Sequence, residues 1–379
     1  MALPFLYHTL PITSGKLLAT LAQSADLAKL VKAIDLSTTG CVDASSLRNA
    51  LDAARSRLSL SATFEQHLQH AIDGVGSNLT NTGAEAVLYL ILLKNLETLE
   101  YRGNIGTNAI VTEFFGGATA AAVAAAHEGE GTQVPRLSEL RLRHWDGRNT
   151  TPIAEVQQLL VGSIEKLHGC GINWEVSPLN GAGRPSFMAA QLNLKHIEKV
   201  DVAINGYGLD DMLRRCPDLR TLRIVWGNPS RMPTFPLDFG TMGAALRRHA
   251  RGLEKLTLDC LVDLSYTQGH SEGIIGSIRE LTSLVSLVVA QDVLVGEEEE
   301  GESFRLDQVL PDSLQTLQLL TCQDDEEDLD EQITSFIQGG RLANLRRIQM
   351  KRHEDFSGDA AELGWRLWHR WDKMILTKL

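Results

Sequence analysis

Along this chain one short arrangement of positions keeps returning: an apolar residue, two variable ones, a second apolar, one variable, a third apolar. It occurs as Leu96, Leu99 and Tyr101, then as Leu137, Leu140 and Leu142, then as Ile197, Val200 and Val202. It continues through Leu219, Leu222 and Ile224; Leu253, Leu256 and Leu258; Leu284, Leu287 and Val289; Leu314, Leu317 and Leu319; and Leu345, Ile348 and Met350. Val31, Ile34 and Leu36 make a first copy. The closing alternation puts its two apolar side chains on one face of an extended segment, because successive strand side chains point to opposite faces. Each copy therefore predicts a short strand. From Ile197 onward the copies begin 22, 34, 31, 30 and 31 residues apart. The earlier gaps of 65, 41 and 60 residues are wider, so the N-terminal half carries insertions or conceals degenerate copies.

Helical stretches separate the strands. Ala84 to Lys94, Ile153 to Leu167, Leu209 to Cys216, Gly240 to Ala250 and Leu329 to Phe336 all fit a helix, and in the second of them Ile153, Val156, Leu160, Ile164 and Leu167 recur every three or four residues. Strand, loop, helix and strand at a near-regular period predicts an α/β leucine-rich-repeat solenoid with a parallel concave sheet and outer helices. Asn104, Asn205 and Cys322 fall nine positions into their copies, where such repeats use Asn or Cys to satisfy turning backbone groups. The predicted organisation is an N-terminal helical cap over residues 1–30, irregular repeats over 31–358, and a C-terminal capping helix over 359–379. In that last segment Trp365, Trp368 and Trp371 recur every three residues near Leu367 and Ile375, a spacing that suits a helix covering the final repeat.

The run "LYHTLPITSGKLLATLAQSADLAKLVKAIDLS" resembles the segment that follows the F-box in fungal F-box leucine-rich-repeat proteins. The matching residues are Tyr7, then Ala25, Asp26, Leu27, Ala28, Val31, Ile34 and Leu36, with Ala25 where the family has proline. "CPDLRTLRI" from Cys216 to Ile224 and "LTSLVSLVV" have the same style. The resemblance concerns the repeat region alone. An F-box would take about forty residues of helices ahead of Tyr7, so that module is expected to be missing from this chain. What the resemblance implies is the substrate-recognition part of an F-box type ubiquitin-ligase receptor, with a cullin-ligase adaptor as partner only if an F-box stands upstream. The alternative is a leucine-rich-repeat regulator of another enzyme, an inhibitor or a GTPase-activator-like protein, although such relatives have more regular repeats.

Composition narrows the picture. The net charge of −12 is local: Glu297, Glu298, Glu299, Glu300 and Glu302 form one run, and Asp324, Asp325, Glu326, Glu327, Asp328, Asp330 and Glu331 form another. Without these twelve acids, 36 acidic residues face 36 basic ones. A neutral body argues against nucleic-acid binding. The first run begins eight residues after Val289 and the second five after Leu319, so both are expected on one rim as an acidic ridge. Such a ridge either keeps the protein soluble or steers a basic segment of a partner. Cys41, Cys170, Cys216, Cys260 and Cys322 are scattered with no C-x-x-C pair, which points to a reducing compartment, cytoplasm or nucleus. The N-terminus lacks a basic start and a cleavage pattern, and the glycosylation-type triplets at Asn78 and Asn149 are short enough to arise by chance. The longest apolar run, Ala86 to Leu93, is far short of the roughly 20 residues that span a bilayer, so no membrane partner is expected.

No phosphate loop, nucleophile elbow or H-E-x-x-H occurs, so neither catalysis nor a cofactor is expected. His67 and His70 are three apart but lack a third metal ligand at sensible spacing. The candidate surface is the set of variable positions in the strands, expected to point outward from the sheet. They include Glu100, Arg102, Glu139, Arg141, Arg143, Lys199, Asp201 and Lys255. The positions proposed for partner binding are Arg223, Val225, Asp259, Val288, Ala290, Gln318, Leu320 and Lys351, with Trp226 near the rim and Trp145 placed like it, where a tryptophan either anchors an interface or, more commonly, packs under a loop. The stretch carrying Val288, Ala290 and Leu320 is less charged than its neighbours, which suits either a partner or a solvated face shielded by a loop.

Overall fold

The structure, a computed structural model, describes residues 9–10, 15–36, 42–55, 62–73, 82–102, 110–111, 113–115, 137–143, 150–156, 160, 163–176, 191–200, 204–226, 237–260, 271–296, 305–320, 333–334, 336–339, 342–351, 364–370 and 373–379. The chain divides into two compact units, Met1–Ile172 and Asn173–Leu379. Each is mixed α/β and built on an open, mostly parallel sheet.

In the first unit β1 (Thr9–Leu10), β2 (Ala33–Asp35), β3 (Thr98–Arg102), β4 (Glu139–Arg143) and β5 (Lys166–Cys170) pair in that order, all parallel. Register aligns Ile34, Leu99, Leu140 and Leu167 in one row, each at most 3% exposed. Among the described residues, five helices precede β3: α1 (Gly15–Gln23), α2 (Ala25–Leu30), α3 (Ala44–Arg55), α4 (Ala62–Asp73) and α5 (Thr82–Leu92). Ser24 caps α2 by accepting from the Leu27 N–H at 3.3 Å. α1 packs on α3 through Leu18, Leu21, Leu47 and Leu51, all fully buried.

The wide N-terminal gaps have different origins. β2 pairs directly with β3, so the 65-residue gap is an insertion, with α3 and α4 added ahead of α5. β3 pairs directly with β4, so the 41-residue gap is also an insertion. The 60-residue gap conceals a strand: β5 lies against β4. The helix expected from Ile153 to Leu167 is corrected accordingly. Among the described residues of that stretch, α6 (Ile153–Val156) is helical and Lys166–Cys170 is extended; 157–159 and 161–162 lie outside the described residues. Ile164 and Leu167 belong to a strand copy whose third apolar place holds Gly169, where a Cβ would lie 2.5 Å from Ile172 Cδ1. A glycine in that place weakened the apolar pattern, and the helical spacing of Ile153 to Leu167 then outweighed it.

In the second unit β6 (His196–Val200), β7 (Thr221–Trp226), β8 (Lys255–Cys260), β9 (Ser286–Ala290), β10 (Thr316–Leu320) and β11 (Arg347–Lys351) are parallel in that order. Ile197, Leu222, Leu256, Leu287, Leu317 and Ile348 stand in one register row and are at most 1% exposed. Each such side chain contributes about 1.5–3 kcal/mol of burial. α7 (Gly206–Arg215) and α8 (Phe239–His249) lie between strands, are capped by Asn205 and Asp238, and end in basic residues that suit a helix C-terminus. They pack closely on each other: a Cβ on Gly206 would lie 2.7 Å from the Thr241 side chain. Short helices α9 (Gln291–Val295) and α10 (Leu306–Val309) follow β9. Of the helix expected from Leu329 to Phe336, residues 329–332 and 335 lie outside the described residues, and 333–334 and 336 are helical.

The C-terminus is corrected. Instead of a helix, β12 (Trp365–Arg370) and β13 (Lys373–Lys378) form an antiparallel hairpin, and β13 pairs antiparallel with β11. The three-residue recurrence of Trp365 and Trp368 therefore splits across two faces: Trp365 is 5% exposed and Trp368 is 52% exposed. Trp371 lies outside the described residues. A strand satisfies its backbone through β11 and β13, and that pairing outweighs a helical period carried by few residues.

Candidate interaction surface

Strand side chains that do not enter the core lie on the opposite face. In the second unit, register brings Glu198, Arg223, Thr257, Val288, Gln318 and Gln349 into one row on that face, all half-buried. The row is charged at one end, where Arg223 pairs with Glu198. From Thr257 to Gln349 it is uncharged over four adjacent strands, roughly 14 Å across at about 4.8 Å per strand. Asp259 sits beside Val225 in register, and burial raises its carboxyl above the usual range, with Arg223 partly opposing the rise. A half-desolvated acid beside neutral amide, hydroxyl and aliphatic groups offers directional hydrogen bonding and some apolar contact, without a strong field.

Of the positions expected to bind a partner, Arg223, Asp259, Val288, Gln318 and Leu320 lie half-buried on this face. Three others are corrected. Val225 is 1% exposed, a short side chain shaded between in-register Val200 and Asp259. Ala290 is 3% exposed because the chain turns straight into α9 after it. Trp226 is 2% exposed and packs edge-on against Phe239, with ring centroids 6.5 Å apart at 87°, so it is a core residue and not a rim anchor. The Lys351 side chain, Trp145, Asn104, Asp201, Cys322, Asn78, Asn149 and both acidic runs, Glu297 to Glu302 and Asp324 to Glu331, lie outside the described residues.

The largest correction concerns Lys199. Expected to point outward, it is fully buried. Register pairs Lys199 with Ile224 and Ile197 with Leu222, so the true copy is Leu194, Ile197 and Lys199, three residues earlier than the apolar pattern indicated. A lysine in the third apolar place made the frame Ile197, Val200, Val202 look better. With Ile164 and Leu194 as starts, successive copies from Leu137 to Leu345 begin 27, 30, 25, 34, 31, 30 and 31 residues apart. The corrected frame also moves Asn205 from the ninth place of a copy to the cap of α7. There its side chain accepts from the Gly208 N–H at 2.8 Å and donates to the Val176 carbonyl at 2.8 Å.

The exposed face of the first unit has a different character. Arg143 lies 2.9 Å and Arg141 4.0 Å from Glu100, and Arg141 also lies 2.6 Å from Glu139. His168 approaches Glu139 at 3.4 Å. These charges answer one another along adjacent strands.

The chain matches no protein-family model and no curated protein. The helices of the described residues include none long and apolar enough to cross a membrane. No cluster of three or more His, Cys, Asp or Glu side chains that could hold a metal occurs among the described residues. His67 contacts Glu113 at 2.8 Å, and His70 shares an open polar groove with Arg55, Glu65 and Asp73. Sequence reasoning missed the grouping of Trp174, Lys199, Arg215 and Cys216. Its one legible signal was a lysine within an otherwise apolar strand core.

Proposed function

We propose that this chain is a non-catalytic interaction scaffold, a solenoid of the leucine-rich-repeat type that receives a protein partner on the exposed sheet face of residues 173–379. The observation that carries this reading is the uncharged register row of Thr257, Val288, Gln318 and Gln349 on four parallel strands. A rigid sheet presents such a row without ordering cost at the moment of binding. The spacing of 25 to 34 residues between corrected copies supports the repeat reading. The resemblance of the N-terminal segment to fungal F-box proteins supports the substrate-recognition part of a ubiquitin-ligase receptor as the role. In this reading the two acidic runs, which follow β9 and β10 in sequence, steer a basic segment of the partner.

Proximity labelling in the native cell with wild type and with a Val288→Asp, Gln318→Glu double variant tests the surface. Loss of a partner by the double variant, with circular dichroism unchanged, is the expected result. An unchanged labelling profile would remove this face from consideration. The ligase role has its own test, co-purification of a cullin adaptor with the full-length gene product. Failure to recover any adaptor reduces the proposal to partner binding alone.

A further inference from the structure

The third apolar place of the strand pattern holds Ile224, Leu258, Val289 and Leu319 in β7 to β10, and Lys199 in β6. Lys199 is 0% exposed, and its Nζ has no hydrogen-bond partner among the described residues. The ammonium position lies 4.4 Å above the Trp174 ring. Among the described residues, the groups around it supply no hydrogen-bonded counter-ion. On α7, Asp211 already accepts from Arg214 at 2.6 Å and from the Trp174 indole N–H at 3.3 Å, with Arg215 at 4.0 Å. Arg215 faces the same indole at 5.8 Å and adds like charge. Burial pushes the Cys216 thiol up to about 12, so it stays neutral. Glu175 lies on the strap itself and is half-buried, and from β7 the in-register neighbour of Lys199 is Ile224. Burial accordingly pushes the Lys199 amine down to about 7.

The cover over this lysine is strapped to the first turn of α7. A Cβ on Gly208 would fall 1.8 Å from the Trp174 carbonyl oxygen, so only glycine admits this approach. Asn205 bonds both the Gly208 N–H and the Val176 carbonyl, each at 2.8 Å. Trp174 lies directly over the Lys199 amine, so water reaches it from this side when Trp174 moves.

We propose that Lys199 and the Trp174–Val176 strap form a proton-operated latch, in which the closed strap holds a neutral amine and proton uptake by Lys199 favours release of the strap from α7. The sign follows from linkage. A released, hydrated lysine has its ordinary pKa of about 10.4. Between that value and the closed-state value of about 7, the released form binds more protons. Opening therefore increases as pH falls toward 7 and levels off below it, where both forms are charged.

Amide hydrogen exchange on the full chain at about pH 7, 8 and 9, corrected for intrinsic rates, tests the latch. The Val176 amide of the strap, which donates to the Asn205 side chain at 3.3 Å, should open about tenfold less for each pH unit gained in the upper part of that range. The Leu256 and Leu287 amides of β8 and β9 should show no such slope. Lys199→Met should abolish the slope, and Lys199→Arg, charged throughout, should hold the open fraction high at every pH. A flat wild-type profile overturns the proposal without any variant. So does a slope that survives in Lys199→Met, or one shared equally by Leu256 and Leu287, which would mark a change in general stability.

Discussion

The exposed faces of the two sheets solve the same problem in opposite ways. Both rest on an inward row of buried Leu and Ile side chains, Ile34 to Leu167 in the first unit and Ile197 to Ile348 in the second. Above that row the first unit places Glu100, Glu139, Arg141, Arg143 and His168, which pair with one another. The second places Thr257, Val288, Gln318 and Gln349, which carry no charge. A face whose charges are mutually satisfied has little to gain from a partner, since a newcomer must desolvate pairs that already exist. A neutral, half-buried row loses less on desolvation, and Glu198, Arg223 and Asp259 on this face lie to one side of it. The difference lies in the variable positions only, and the inward positions are common to both units.

The shared core gives the largest expected effect. Leu140→Asp and Leu256→Asp each place an unpaired carboxylate in a buried row, a cost of about 4 kcal/mol or more. Urea unfolding should show a strongly lowered midpoint for both. Cooperative unfolding at the wild-type midpoint in either would refute the strand assignment in that unit.

Lys199→Met comes next and has the opposite sign. Replacing a buried amine that has no hydrogen-bond partner among the described residues by an apolar side chain of similar length should stabilise the protein at neutral pH by about 1–4 kcal/mol. Because the folded amine titrates below its unfolded value, the penalty that Lys199 imposes is complete below about pH 7 and fades as pH approaches 10. The stabilisation by methionine should fade over the same window, as thermal unfolding at several pH values would show. Gly208→Ala forces the Trp174 carbonyl away from α7 and should destabilise by about 1–3 kcal/mol.

The smallest effects separate the two faces most sharply. Glu100→Gln leaves Arg143 without its carboxylate on the first face, while Arg141 keeps Glu139, a loss of under about 1 kcal/mol that added salt should erase. Asp259→Asn on the second face should instead stabilise by less than about 1 kcal/mol at neutral pH. Its folded carboxyl is raised, so ionisation disfavours the fold above that value, and the gain should vanish once acid protonates Asp259. Denaturation in low and high salt, repeated at neutral and acid pH, would distinguish the two. Identical salt and pH responses would erase the contrast between the faces.

Most strand copies were legible in sequence. Leu222, Leu256, Leu287, Leu317 and Ile348 occupy the inward places that the spacing assigned to them, because alternation is a local property of the extended chain. The copies that escaped are the ones whose third place is not apolar: Gly169 hid β5 behind a helical spacing, and Lys199 shifted the frame of β6 by three residues. The C-terminal hairpin escaped because the three-residue recurrence of Trp365 and Trp368 suits a helix, and the pairing of β12 with β13 and of β13 with β11 imposes strands instead. For the candidate surface, Val288, Gln318 and Leu320 were placed on the right face, whereas Val225 and Ala290 were not foreseen as buried, and for Trp226 packing rather than the interface role holds.

The amino-acid order alone determined the recurrent strands, the apolar rows beneath them, the local origin of the net charge and the low charge of the stretch around Val288. These follow from the chemistry of neighbours in sequence. Register between strands, the accommodation of a lysine where its counterparts are Ile224 and Leu258, and the close seating of Gly208 under the Trp174 carbonyl were decided by tertiary structure. Each depends on groups tens of residues apart in the chain. A lysine is polar in any local count, and only the indole and helix packed over it make its position a core position.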